Sequence, residues 1–247
     1  MITVAAAQPP CVALDVAANA AAHAAAVRAA RARLVVFPEM SLTGYELDAP
    51  DLDPGSPDLE PLVRACAETG TLALAGAPVA GRYIATLAVD GGGARVAYRK
   101  RWLGGGEVAR FQPGDPPTAV EVDGLRVGLG ICKDTGVDEH VQGIAALALD
   151  LYVAGVVHLS DELAEQDRRG ERIARACRAR WRWPASPGPP AGATSTPPGR
   201  PRSGPPAPRW RPAPGPTRAT SPAPAPTECL TRCSGDRRSP SAPVLRK

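Results

Sequence analysis

The chain opens with an apolar run, Ile2 to Gln8, closed by Pro9-Pro10, the pattern of a short buried strand. Asp15 can then cap a helix reaching to about Arg33. Asp15, Asn19 and His23 recur at helical spacing as a polar face, and Val16, Ala20, Val27, Ala30 and Leu34 make the opposite face. Leu34 to Phe37 predicts a second buried strand, ended by Pro38. Strand, helix, strand is the unit of a parallel or mixed sheet covered by helices.

Ser41 to Pro57 carries Gly44, Pro50, Pro54 and Gly55 and reads as a loop. Asp58 to Thr69 returns to helical spacing through Leu59, Leu62, Val63 and Cys66, and Thr71 to Ala77 follows as a buried strand. Tyr83 to Val89 and Arg95 to Tyr98 flank Asp90-Gly91-Gly92-Gly93, which predicts a hairpin. After a long loop, Trp102 to Pro117, the segments Ala119 to Val122 and Leu125 to Ile131 pair around Asp123-Gly124. The second of them runs into Cys132. His140 to Leu149 reads as helix, Leu151 to Val157 as strand and Asp161 to Arg180 as a charged amphipathic helix.

Periodicity stops near Trp183, and composition shows why. The 64 residues from 184 to 247 hold 18 of the 29 prolines, 10 Lys and Arg and only Glu228 and Asp236 as acids. Pro, Ala, Gly and Arg total 42 of them, against 3 Val and Leu. Such a segment has too little apolar surface to offset the entropy of ordering it, so disorder is expected. The sequence thus divides into a domain at 1–183 and a basic, Pro-rich tail at 184–247. Of 29 basic and 25 acidic residues, 19 and 23 fall in the domain, so the overall +4 combines about −4 with +8. The domain itself has no basic surplus to support nucleic-acid binding.

Six cysteines, Cys11, Cys66, Cys132, Cys177, Cys229 and Cys233, lack the dense spacing of a secreted disulfide scaffold, and free thiols are expected. The first charge is Asp15 rather than a basic residue, unlike a signal peptide, and no uncharged apolar run of about 18 residues is present to cross a membrane. A cytoplasmic location follows as an expectation, with no membrane partner. His140 and His158 have no partners at ligand spacing, and His23 reads as a solvated helix residue. Cys229 and Cys233 lack histidines, and Gly91 to Gly93 and Gly104 to Gly106 lack the context of a phosphate loop. Neither a metal nor another cofactor is expected.

Three segments place reactive side chains where a strand gives way to a loop: Phe37-Pro38-Glu39-Met40-Ser41-Leu42-Thr43-Gly44-Tyr45, Tyr98-Arg99-Lys100-Arg101-Trp102-Leu103 and Gly128-Leu129-Gly130-Ile131-Cys132-Lys133-Asp134. Singly, each is ordinary. A glutamate past a strand or a lysine in a hairpin is most often solvated, and a cysteine after an apolar strand is most often packing. Together they offer a thiol, a base to deprotonate it and a cation for an oxyanion. Unpaired backbone N–H groups at the Cys132 turn are expected to lower the thiol's pKa.

In this order the segments resemble the Glu-Lys-Cys signature of the nitrilase superfamily of carbon-nitrogen hydrolases, over roughly residues 1 to 180. The resemblance implies a four-layer α-β-β-α sandwich, here incomplete because the family's second half should follow the last helix. It implies Glu39 as general base, Cys132 as the nucleophile that forms a thioester, and Lys100 with the Lys133 backbone N–H as oxyanion donors. Glu107, in Gly106-Glu107-Val108-Ala109-Arg110-Phe111, fits a further family glutamate that orients the substrate or the lysine.

Trp102 stands where the family often has histidine, and Val137-Asp138-Glu139 where an aromatic-Pro-Glu run is common. Cys132-Lys133-Asp134 replaces the Cys-Trp-Glu of true nitrilases, which favours an amidase or carbamoylase. The implied reaction hydrolyses a small amide or N-carbamoyl compound with release of ammonia, in a protein whose relatives usually pair as homodimers. Two readings of the tail stand side by side: a reading-frame shift in a GC-rich gene near Trp181 to Trp183, leaving an inactive remnant, or a basic arm for polyproline II recognition.

Overall fold

The computed structural model describes residues 2–157 and 162–177 together with two short strands at 180–182 and 231–233. Its elements are β1 (Ile2–Ala6), α1 (Val16–Ala30), β2 (Leu34–Val36), α2 (Glu60–Thr69), β3 (Leu72–Val79), β4 (Tyr83–Asp90), β5 (Gly93–Arg99), β6 (Ala119–Val122), β7 (Leu125–Ile131), α3 (Asp138–Ala145), β8 (Leu151–Gly155), α4 (Leu163–Cys177), β9 (Arg180–Arg182) and β10 (Thr231–Cys233). One sheet has the order β10-β1-β2-β3-β4-β5 and the other β6-β7-β8-β9. β1, β2 and β3 run parallel, as do β7, β8 and β9, while β3-β4-β5 and β6-β7 are antiparallel. The Pro-rich segment contributes β10 antiparallel to β1, and its expected disorder otherwise falls outside the described residues.

Side-chain alternation along the strands makes four layers. Val35, Ala73, Ala75, Ala77 and Leu87 face α1 and α2, meeting Ala20, Ala24, Val27, Leu62 and Cys66. Their neighbours Leu34, Val36, Leu72, Leu74 and Ile84 face the other way, onto Val127, Leu129, Ile131, Leu151 and Val153 of the second sheet. Behind that sheet, Tyr152 and Ala154 pack on Val141 and Ile144 of α3 and Ile173 and Cys177 of α4. Strands buried on both faces carry apolar residues at nearly every position, which is why β3 reads as a continuous apolar run. The arrangement is the α-β-β-α sandwich expected, with core residues such as Leu34, Val35 and Val127 fully buried.

Element boundaries moved by one to a few residues. α1 is capped by Asp15, whose Oδ1 accepts from Ala18 N at 2.9 Å, and it ends at Arg31 in the left-handed region. Its polar stripe corrects the sequence reading: Asn19 and His23 are completely buried, not solvated. The stripe faces inward because the Glu39 loop brings backbone and hydroxyl partners to it. Asn19 Nδ2 donates to Leu42 O at 3.0 Å, and its amide also exchanges two hydrogen bonds with Val12. His23 lies 2.6 Å from Asn19 O and 2.9 Å from Ser41 Oγ. Burial pushes this imidazole's pKa down to about 4, so it works there as a neutral ring.

Close approach of backbone holds the same loop from the sheet side. Gly76 on β3 lies under it, and Leu42 N donates to Gly76 O at 3.0 Å. A Cβ on Gly76 would overlap Met40 N and sit 2.7 Å from Pro38 O, both backbone atoms with no room to yield. Gly76→Ala should therefore cost about 2 kcal/mol or more by urea unfolding, an overpacking penalty. An undiminished midpoint would show that the loop can shift freely.

Candidate active site

Glu39 emerges three residues past Val36, the end of β2, where Pro38 stops the ladder and Met40 turns the chain at φ 49°. Lys100 directly follows β5, its N–H bonded to Ile84 O at 2.8 Å and its C=O accepting from Gly114 N at 2.7 Å. Cys132 directly follows β7 and opens a 3-10 turn over Cys132–Gly136. Each side chain is thus carried by a strand end, and the three ends meet at one side of the sandwich.

The meeting is electrostatic. Lys100 Nζ donates to Glu39 Oε1 at 2.7 Å and to both oxygens of Glu107 at 2.8 Å. Lys100 has 0% of its surface exposed, Glu39 2% and Glu107 3%. Sequence reasoning expects a hairpin lysine in solvent; here two acids from distant loops hold it inside. Burial alone would depress its pKa, but the charges of Glu39, Cys132 and Glu107 outweigh that and keep it above the ordinary lysine value. Glu39 goes the other way for a carboxyl: burial pushes its pKa up to about 7 against the pull of Lys100, and Glu107 adds to the rise. Its Oε2 is buried with no nitrogen or oxygen partner among the described residues.

Cys132 adjoins this cluster, and its thiol is one of the hydrogen-bonding groups that pull the Glu39 pKa down. Sγ also approaches Val157 O at 3.7 Å. The residue sits at φ 41°, a left-handed conformation uncommon outside glycine, at a sharp strand-to-helix turn. Gly130, two residues before it, leaves the room that Tyr152 OH fills, since a Cβ there would overlap that oxygen. The expected lowering of the thiol's pKa is corrected. Burial first, and then the negative charge of Glu39, raise it, and neither Lys100 nor the Val157 carbonyl contact reverses the sign. A 3-10 turn of five residues cannot supply the field that would stabilise a buried thiolate. The resting group is a neutral thiol beside the Glu39 carboxyl.

Lys133 N lies in the first turn of that 3-10 segment, where an N–H has no acceptor within the helix. The Lys133 side chain turns away, Nζ donating to Leu103 O at 2.5 Å. Glu107 sits on a 3-10 turn over Gly106–Ala109. Gly104 N donates to its Oε2 at 2.5 Å and Tyr45 OH to its Oε1 at 3.3 Å. Arg82 secures the far end of this turn, donating to Arg110 O at 2.6 Å and Ala109 O at 3.2 Å.

All five residues singled out from the sequence thus lie on the strand-end loops that converge here: Glu39, Lys100 and Glu107 in direct contact, Cys132 and Lys133 on the adjoining turn. Sequence reasoning missed Tyr45, Gly104 and Asp134, whose buried carboxylate accepts three hydrogen bonds across the site. Their only sequence signal was position within, or for Gly104 one residue beyond, the segments carrying Glu39, Lys100 and Cys132. Trp102 packs edge-on against His140, centroids 5.4 Å apart, and His140 Nε2 lies 2.9 Å from Tyr152 OH. His158 and Cys229 lie outside the described residues, and Cys233 is described only as part of β10. Among the described residues no group of three or more His, Cys, Asp or Glu is arranged to hold a metal ion, and no helix is long and apolar enough to cross a membrane.

Comparison with known proteins bears on the fold and the family. An amidase from Nesterenkonia sp. AN1, solved with acrylamide added to its active-site cysteine, is 21% identical, with TM-score 0.67 over 75% of this chain and 78% of that one. Another structure of that amidase, in complex with butyramide, is 21% identical with TM-score 0.66 over 74% and 76%. A CN-hydrolase superfamily protein from Xanthomonas campestris, with an arsenic adduct in its active site, is 19% identical with TM-score 0.61 over 70% and 71%. These likenesses concern the fold. No curated protein matches the sequence. The carbon-nitrogen hydrolase family profile, however, matches residues 3–177, well over half of the chain, and the protein therefore belongs to the carbon-nitrogen hydrolase family.

Proposed function

We propose that this chain hydrolyses the C–N bond of a small amide through a thioester on Cys132, with Glu39, Lys100, Glu107 and the Lys133 backbone N–H completing the site. The observation that carries the proposal is the fully buried Lys100 ammonium, bridging Glu39 and Glu107 beside a neutral, strained cysteine. A buried ion cluster costs several kcal/mol to desolvate, so it is a poor device for stability alone. The likeness in fold to amidases adds support for an amide, and an N-carbamoyl compound fits the same chemistry.

In the proposed reaction Glu39 takes the thiol proton as Cys132 Sγ bonds to the substrate carbonyl carbon. The negative charge that develops on the carbonyl oxygen is met by Lys100 and the Lys133 N–H. Collapse breaks the C–N bond, and the proton held by Glu39 leaves with the nitrogen as ammonia. Water then attacks the thioester while Glu39 takes its proton; the C–S bond breaks, the carboxylic acid departs and the thiol is restored. Glu107 holds Lys100 in place through both oxygens. A pKa near 7 suits Glu39 to accept and return a proton at neutral pH.

Ammonia release from acetamide, propionamide, butyramide and a set of N-carbamoyl compounds checks the proposal. Cys132→Ala should abolish release and Glu39→Gln should lower kcat by about a thousandfold; a folded Cys132→Ala variant that still releases ammonia sinks it. The rate should fall on the acid side with a midpoint near pH 7, because Glu39 must be ionised to accept the proton. A profile flat from pH 5 to 8 would remove Glu39 as the base.

Lys100→Met leaves two buried carboxyls facing one another without a cation. Stability at pH 8 should drop by about 3 kcal/mol or more in denaturant titrations. The carboxyl pKa values rise in that variant, so the native state binds more protons than the unfolded one. The deficit should therefore shrink as pH falls toward 5. A deficit independent of pH would mean the ion cluster is not its source.

A further inference from the structure

We propose that Asp134 is a positioning residue that fixes Lys100 against Cys132 by bridging the two sheets. The inference rests on the catalytic reading of Glu39, Lys100 and Cys132 given above. β5, which leads into Lys100, and β7, which leads into Cys132, belong to different sheets, so no backbone ladder sets their relative position. Apart from the long, flexible Lys133 side chain, whose Nζ donates to Leu103 O, the contact between them is an apolar interface, with Tyr98 and Leu103 against Leu129 and Ile131. Such packing is non-directional and tolerates sliding that a hydrogen bond does not.

Asp134 supplies the directional link. Its Oδ2 accepts from Tyr98 OH at 2.9 Å and from Ile131 N at 3.0 Å, and its Oδ1 accepts from Trp102 N at 3.0 Å. Tyr98 and Trp102 bracket Lys100, two residues to either side, and Ile131 directly precedes Cys132. One rigid carboxylate therefore spans both strand ends. The three partners are donors arriving at both oxygens, so the position demands an acceptor at each end. An amide cannot meet that demand: whichever way it is turned, its NH2 faces a backbone N–H, from Trp102 or from Ile131.

Stability does not explain the residue. Asp134 is completely buried, and burial is the largest influence on its carboxyl, raising the pKa to about 6 despite the hydrogen bonds and the Lys100 charge that favour ionisation. A buried carboxylate opposes folding unless its partners offset the desolvation. What it gives in return is orientation, and a misplacement of about 1 Å at a reacting centre can cost on the order of a hundredfold in rate.

The test uses the full-length chain with butyramide as substrate, and iodoacetamide as a probe of Cys132, its alkylation followed on the Cys132 peptide by mass spectrometry. Asp134→Asn should lower kcat about a hundredfold with KM changed less than about threefold, and slow Cys132 alkylation about tenfold. Its melting temperature should fall by no more than about 10 °C, the cost of one mismatched buried donor, which leaves the chain folded under assay conditions. Tyr98→Phe keeps both backbone N–H groups paired and should lower kcat by less than about fivefold. A kcat for Asp134→Asn within about threefold of the parent overturns the inference, as does a loss that tracks unfolding or is matched by Tyr98→Phe. Cys132→Ala runs alongside. If that variant keeps its turnover, the catalytic reading itself has failed; if it is inactive while Asp134→Asn is not, only the role of Asp134 has.

Discussion

An ammonium with no contact to water keeps its charge only if opposite charges are delivered to it inside the protein, and at Lys100 two loops are committed to that delivery. The Glu39 loop leaves one sheet at β2, and the Glu107 turn arrives from the long segment after β5. Each ionised group alone would be expelled or neutralised; together they persist, at a cost the surrounding core must bear. Much of the local architecture follows from this requirement. Gly76 allows the Glu39 loop to lie on the sheet, Asn19 and His23 grip its other side, and Arg82 ties down the turn that carries Glu107.

The same cluster sets the chemistry of its neighbour. Two carboxyls share one cation, so a further negative charge is unwelcome, and burial adds to the penalty on a thiolate at Cys132. Cys132 is therefore kept as a thiol, and in its proposed role as nucleophile it would lose its proton at the moment of attack. Glu39, with its own ionisation made difficult by burial, is correspondingly willing to accept a proton. Raised pKa values on acid and thiol are two results of one low-dielectric site, and they fit proton transfer coupled to bond formation better than a preformed thiolate.

Much of this was legible in the sequence. Buried strands announced themselves because residues such as Leu34, Val35 and Val36 are apolar on both faces, and β6 and β7 were bounded correctly by Asp123-Gly124. Glu39, Lys100 and Cys132 stood out because each follows a strand, and Glu107 stood out only through the resemblance to the nitrilase superfamily. Other features depend on groups far apart in the chain. The polar stripe Asn19 and His23 looks like a solvated helix face until the loop at Ser41 and Leu42 is laid against it. Asp134 looks like any turn aspartate until Tyr98, Trp102 and Ile131 converge on it. The pKa of Cys132 could not be signed from a local turn, because burial and the charge of a glutamate 93 positions earlier decide it.

Of the experiments open to this protein, mass analysis of the acid-quenched chain during incubation with butyramide addresses the central claim most directly. A butyryl increment should appear on the Cys132 peptide in the steady state and decay when substrate is exhausted. A folded protein that carries no increment on Cys132, and releases no ammonia from any small amide or N-carbamoyl compound, would contradict that claim.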